Sequence, residues 1–133
     1  MSEALHVELV AADRTVWSGD AAMVIARTQE GDIGVLRGHT PVLSLLSESV
    51  VEIQVDGTDD VVVAAVDGGI ISVALDRVSV LSEHIELGEE IHVEKAQADL
   101  EEARVVLSRN DEAEARVRHA EARLRAAEKV RQS

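Results

Sequence analysis

Two short pairings in this sequence have residue types that could hold a metal and move a proton: His84-Ile-Glu86 and His92-Val-Glu94. An H-x-E pair is half of a zinc deaminase site, with the histidine binding the metal and the glutamate acting as acid and base. The other half, P-C-x-x-C, needs cysteines, and the chain has none. H-E-x-x-H is also missing and the five histidines are scattered, so a metal centre is not expected. The glycines between Gly31 and Gly38 are spaced like a phosphate-cradling loop. No Gly-Lys-Ser/Thr follows them and no helical pattern opens there, so they fit tight turns that need positive φ. A nucleophile elbow of the G-x-S-x-G type is absent. His39, just before Thr40-Pro41, reads as a structural histidine bonded to a nearby turn, and Trp17 reads as core. No residue is nominated as catalytic, and no cofactor or metal is expected.

What chemistry remains is charge. Between Arg116 and Arg131 stand six bases (Arg116, Arg118, Arg123, Arg125, Lys129 and Arg131) and two acids (Glu121 and Glu128), in a chain of net charge −13. A basic run of this kind can be a solvated face whose cations favour a helix C-terminus. It can also be an electrostatic handle for an acidic protein surface. Nucleic acid is a poor partner: the overall charge repels a phosphate backbone. With no Phe, no Tyr and one Trp, there is no aromatic platform for bases to stack on.

The charge distribution also divides the chain. Residues 1–90 hold four bases against seventeen acids, and residues 91–133 hold nine of each. All eight glycines and the single proline precede residue 90. A boundary at about Gly88 therefore separates residues 1–88 from 89–133. In the first part, Leu5–Leu9 alternates apolar and polar residues, and β-branched runs follow at 23–28, 50–55, 61–66, 69–75 and 77–81. Turn signals separate them, at Ser18-Gly19-Asp20, Glu30-Gly31-Asp32, Asp56-Gly57, Asp67-Gly68-Gly69 and Leu75-Asp76-Arg77. This spacing predicts an antiparallel β-sandwich.

From Val93 the period changes to that of a helix. Val93, Ala96, Leu100, Ala103 and Leu107 form one stripe, and Ala113, Val117, Ala120, Leu124 and Ala127 form another. Ser108-Arg109-Asn110-Asp111 interrupts them, with Asp111 and Glu114 spaced as a capping box and Asn110 suited to ending the first helix. The tail is therefore an antiparallel two-helix hairpin of about 17 residues per helix. Its seam is mostly alanine, which buries little area, so the hairpin is expected to be separable. The expected fold is mainly β plus α, a sandwich followed by a helical hairpin.

The segment Gly31-Asp-Ile-Gly-Val-Leu-Arg-Gly-His-Thr-Pro-Val-Leu43 resembles the G-x-x-G-[IV]-L-x-G-H-x-P-[LV]-L signature of the epsilon subunits of F-type ATP synthases. Val16-Trp-Ser-Gly19, Asp67-Gly-Gly-Ile and Val78-Ser-Val-Leu-Ser-Glu are similar to further segments of that family, so the resemblance covers nearly the whole chain. It implies a non-catalytic rotor subunit of the central stalk that helps couple proton flow to ATP synthesis. By the same resemblance residues 1–88 would bind the gamma subunit and the c-subunit ring, with Glu30, Gly31 and Asp32 at the ring and His39 and Pro41 near gamma. Residues 89–133 would be regulatory. They would extend into the alpha/beta catalytic head, meet it through Arg116, Arg118, Arg123 and Arg125, and restrain ATP hydrolysis.

Some bacterial members of that family bind ATP through Ile/Leu-Asp-x-x-Arg-Ala. The matching stretch here is Ile91-His92-Val-Glu-Lys95-Ala96, with His for Asp and Lys for Arg. Lysine lacks arginine's planar fork of donors, so nucleotide binding is not expected. A nucleotide-sensing module whose hairpin closes on ATP is the alternative reading. The start, Met1 to Leu5, has no basic and apolar leader pattern. The longest charge-free stretch, residues 38–47, is far short of the roughly 20 apolar residues of a membrane span. The expectation is a peripheral protein on the cytoplasmic face of a bacterial cell membrane, held there by its partners and not inserted.

Overall fold

The computed structural model describes residues 4–91, 93–105 and 111–132. These form nine strands, β1 (Leu5–Val10), β2 (Thr15–Thr28), β3 (Gly31–Leu36), β4 (Val42–Leu45), β5 (Glu48–Val55), β6 (Val61–Asp67), β7 (Ile70–Ala74), β8 (Arg77–Leu81) and β9 (Ile85–Leu87). A 3₁₀ turn at Gly88–Glu90 leads to two helices, α1 (Val93–Val105) and α2 (Asp111–Gln132). The expected sandwich and helical tail are both present. Leu107, Asn110 and the rest of the interrupting segment before Asp111 lie outside the described residues, as does His92.

The strands pair in the order β4-β7-β8-β1-β2-β5-β6-β9, with β3 beside β2. Every pairing is antiparallel except β1 with β8, where Val7 lies opposite Val78 and Leu9 opposite Val80. The segment Ser18-Gly19-Asp20 is not a turn. It lies within the 14-residue β2 and pairs with Glu8, Val7 and His6 of β1. β2 passes from β1 (through Ala21) to β3 (from Met23), with a register shift against β5 at the changeover. One long strand thus serves both layers, and a bulge supplies the bend that closing a sandwich requires.

Alternate residues of most strands point inward. Leu5, Val7, Leu9, Val24, Val35, Val51, Ile53, Val66, Ile71, Val73, Val78 and Val80 form the core between the layers. β3, β4 and β9 carry no clean alternation in the sequence, and the structure shows why. In β3 and β4 only Val35 is buried, on an otherwise open edge. Trp17 is half-buried and packs on the margin of the core. Gly69 has φ +108, and a Cβ there would run into the backbone of Leu81, so only glycine fits between β6 and β7.

β6 has a different pattern. Val63, Ala64, Ala65 and Val66 are all buried, because both faces of this strand are covered. Ala64 and Val66 face the sandwich core. Val63 and Ala65 face a second cluster with Ile91, Ala96, Ala126 and Ala127. The continuous apolar run at 61–66 is the sequence mark of such a doubly covered strand. α2 packs on β5, β6 and the 3₁₀ turn, and α1 packs on α2. Leu100 and Ala103 of α1 meet Val117 and Ala120 of α2 in a third cluster.

Candidate functional site

The two outer faces of the sandwich differ in chemistry, and each is a candidate interaction surface. On the β4-β7-β8-β1 layer the register brings Leu45, Ile70, Leu81 and Val10 into one row across four strands. The next row is Leu43, Ser72, Ser79 and Glu8. Leu43 is 73% exposed, Leu45 55% and Leu81 46%. An apolar row open to water on an acidic protein is the kind of feature that marks an interface. Nothing in the described residues covers it. Sequence reasoning missed these leucines, because an exposed Leu and an inward Leu look alike until the register is known.

Beside this face lies the loop that contains His39 and Pro41, which leads directly into β4. His39 donates its backbone N–H to Leu36 O at 3.1 Å, and its Nδ1 sits 2.6 Å from Thr40 O. It is tied locally, as a structural histidine would be. The loop is anchored across the molecule where Gly38 N–H donates to Asp76 Oδ1 at 2.6 Å. Asp76 belongs to a two-residue turn between Ala74 and Arg77 in which Leu75 and Asp76 both have positive φ, 51° and 60°. That is the turn a tight hairpin prefers, since its twist matches the strands. Leu75, at its tip, is 91% exposed.

Glu30, Gly31 and Asp32 sit at the opposite end of β3, at its junction with β2, and all three are exposed. The turn is fixed from within. Thr28 Oγ1–H donates to Gly31 O at 2.8 Å, and Glu30 N–H donates to Thr28 Oγ1 at 3.1 Å. Arg27 pairs with Asp32 at 3.3 Å. The result is a rigid, solvent-facing tip carrying two carboxylates.

The other outer face, on β5, β6 and β9, carries the acids Glu48, Glu52, Asp67 and Glu86, and α2 lies on it. The basic residues of α2 meet these acids. Arg118 Nε–H donates to Glu48 Oε2 at 3.1 Å, and Lys129 Nζ donates to Glu52 Oε1 at 3.0 Å. His119 Nδ1 is 3.9 Å from Asp67 Oδ1. Arg123 lies deepest, its side chain 13% exposed, between Glu86 of β9 and Asp99 of α1. Desolvation works to raise the Glu48 carboxyl, but the Arg118 hydrogen bond, a backbone hydrogen bond and the nearby positive charge hold it below its ordinary value. Burial works against the Arg123 cation, and the carboxylates of Asp99 and Glu86 outweigh it, raising its pKa.

The four arginines singled out in the sequence thus separate into two pairs. Arg118 and Arg123 face carboxylates within the chain, whereas Arg116 and Arg125 have no ion pair among the described residues; all but Arg123 are exposed. Arg125 borders an open cleft with Arg27, Gln29 and Glu121, where α2 passes the β2–β3 turn. Between the basic residues a second apolar stripe, Ala122 and Ala126, is fully buried. The sequence reading assigned α2 a single stripe, toward α1, and the alanine content concealed the other. Of the stretch matching an ATP motif, Ile91 and Ala96 are buried in the cluster beneath α2, and Lys95 is exposed. Among the described residues no group of three or more His, Cys, Asp or Glu could hold a metal ion. No described helix is long and apolar enough to cross a membrane.

Comparison with known proteins agrees with this architecture. Residues 4–88 match the beta-sandwich domain of the ATP synthase delta/epsilon chain. The chain is 50% identical over 128 residues to the ATP synthase epsilon chain of Streptomyces griseus, covering 95% of this chain and 97% of the relative. It is 49% identical over 129 residues to that of Thermobifida fusca, covering 96% and 94%. Among solved structures, a chain of the Euglena gracilis mitochondrial ATP synthase, in an OSCP/F1/c-ring assembly, superposes with a TM-score of 0.73 at 26% identity, covering 99% of this chain and 82% of that one. A chain of the Tetrahymena thermophila central stalk and c-ring shares the fold, with a TM-score of 0.55 at 12% identity over 94% of each chain. With a matching sandwich and relatives about half identical over nearly their whole length, this chain belongs to the epsilon chain family of ATP synthases.

Proposed function

We propose that the chain is a non-catalytic subunit of the ATP synthase central stalk that joins the gamma subunit to the c-ring, and that its helical tail restrains ATP hydrolysis when released. Residues 1–88 are the binding part and residues 89–133 the regulatory part. The observation that carries this reading is the split between the two faces of the sandwich. One face is apolar and unpartnered among the described residues. The other is acidic and covered by the basic residues of α2.

The Leu43, Leu45 and Leu81 face, with the adjoining His39–Pro41 loop, docks gamma, and the rigid Glu30-Gly31-Asp32 tip meets the polar loops of the ring. Assembly with these partners holds the chain peripherally at the cytoplasmic face of the bacterial membrane. The tail alternates between its present seat and the alpha/beta head. Leaving the seat frees Arg118 and Arg123 to join Arg116 and Arg125 against acids of the head. The exchange is between like sets of ion pairs, so neither state need be strongly favoured.

Size-exclusion of the chain with its cognate gamma subunit tests the binding half. The full chain co-elutes, and Leu45→Asp with Leu81→Asp abolishes co-elution, whereas Arg118→Gln leaves it intact. If the leucine variants still co-elute, the apolar face is not the gamma site. Titration with ATP tests the nucleotide-sensing alternative, which low-micromolar binding would restore.

A further inference from the structure

We infer that Arg123 couples closure of the helical hairpin to its docking on the sandwich, so that α1 and α2 are released in one step. The inference rests on the proposed mobility of the tail but not on what the released helices do. Arg123 is the one basic residue of α2, among those described, with side-chain ion pairs to both other parts. Its Nη1–H donates to Asp99 Oδ2 of α1 at 2.7 Å, and its Nη2–H donates to Glu86 Oε2 of β9 at 3.3 Å. Nε lies 2.9 Å from Glu86 Oε1, an ion-pair distance, but is too poorly aligned to donate a hydrogen bond. Arg118 and Lys129, by contrast, tie α2 to β5 alone.

Three features make this arrangement a coupling device. α1 is held by packing on α2, so the hairpin would open by α1 peeling away if its seam were the only contact. That seam is rich in alanine, with Leu100, Ala103, Val117 and Ala120 as its buried residues, and alanine contributes little burial. Finally, the guanidinium is a planar fork that can serve two carboxylates at once. When α1 departs, Asp99 leaves and Arg123 keeps only Glu86. When α2 lifts from β9, Glu86 is lost and the same cation is again half-satisfied. Each carboxylate fixes the guanidinium's orientation for the other, so either separation weakens the other. Asp99 and Glu86 act on each other through Arg123, although they belong to different elements.

Amide hydrogen exchange on the full-length chain tests this, read separately over residues 93–105, residues 114–130 and the sandwich strands. Arg123→Gln is expected to raise exchange tenfold or more in both helices, by similar factors, with strand protection unchanged. Asp99→Asn is expected to accelerate α2 as well as α1. Glu86→Gln is expected to accelerate α1, with which Glu86 has no hydrogen bond or ion pair among the described residues. Arg123→Lys keeps the charge but offers one nitrogen where Asp99 and Glu86 are now held by two, so the two helices are expected to exchange at different rates. Asp99→Asn and Glu86→Gln are expected to combine non-additively in the native background and additively with Arg123→Gln. The inference is overturned if Asp99→Asn accelerates α1 alone, or if Arg123→Gln leaves either helix at its native rate. ATP hydrolysis by the assembled complex is a separate readout. Coupled release with unaltered hydrolysis would keep the role of Arg123 and remove the inhibitory reading.

Discussion

Gly88 lies beneath the last turns of α2. A Cβ added there would come within 2.7 Å of both Ala126 O and Val130 Cγ2. Gly88→Ala therefore forces the end of α2 off its seat, at a cost of about 1–3 kcal/mol typical of overpacking. Amide exchange should rise over 126–130 and stay unchanged in β1 to β8. Glu48 gives a second prediction. Its carboxyl is held below its ordinary value in the docked state, so its ion pair with Arg118 adds stability that is fully present above that value. The contribution fades as the pH falls below about 4.3, the unperturbed glutamate range, and through the lower value of the docked state. Docking of α2, followed by the same exchange, should weaken over that interval, and less so in Glu48→Gln. The exposed Leu75, at positive φ, is the residue whose environment the sequence disclosed least, since turn propensity speaks for Asp76 but not for leucine.

At the level of elements, the alanine seam sets how the helices behave. Ala120 is 5% exposed and Ala127 2% exposed. Ala127 belongs to the cluster that faces the sandwich and Ala120 to the one that faces α1. Larger side chains cannot simply fill a gap. Ala120→Leu is expected to spread α1 from α2, and Ala127→Leu to lift α2 from β6, each by about 1–3 kcal/mol. Thermal unfolding followed by helix circular dichroism checks this, with an earlier helix transition as the expected result. The strands at 50–55 and 77–81 were legible because β-branched alternation survives wherever one face is buried, and 61–66 because a continuous apolar run marks a strand covered on both faces. β3 and β4 were not, because edge strands bury one side chain or none. Gly19 misled for a physical reason too. It sits inside β2, where a Cβ would press on the Trp17 ring at 2.9 Å, so its glycine serves aromatic packing and not a turn.

For the molecule as a whole, charge decides how the parts are joined. The sandwich holds most of the net charge of −13, and α2 answers it with Arg118, Arg123 and Lys129. The outer two of these pairs are partly exposed and therefore screened by salt, and the Arg123 pairs much less so. Raising the salt from about 0.05 to 0.5 M, which shortens the screening length several-fold, should increase exchange in both helices while the melting of the sandwich holds. An unchanged α2 would mean that the apolar stripe of Ala122 and Ala126 dominates docking.

The sequence alone determined the two-part organisation, the strand and helix periods and the reversal of charge in the last helix. These depend on local spacing and composition, which the chain carries without folding. Only the tertiary structure decided where that charge goes, because strand register gathers Glu48, Glu52 and Glu86 on one face beneath α2, 37 to 77 residues from the bases they meet. The same register lines up Leu45, Ile70 and Leu81 on the outside of one layer while their neighbours Leu46, Ile71 and Val80 turn inward. A side chain's hydrophobicity is written in the sequence. Which side of a sheet it faces, and what lies opposite, is fixed only when the strands pair.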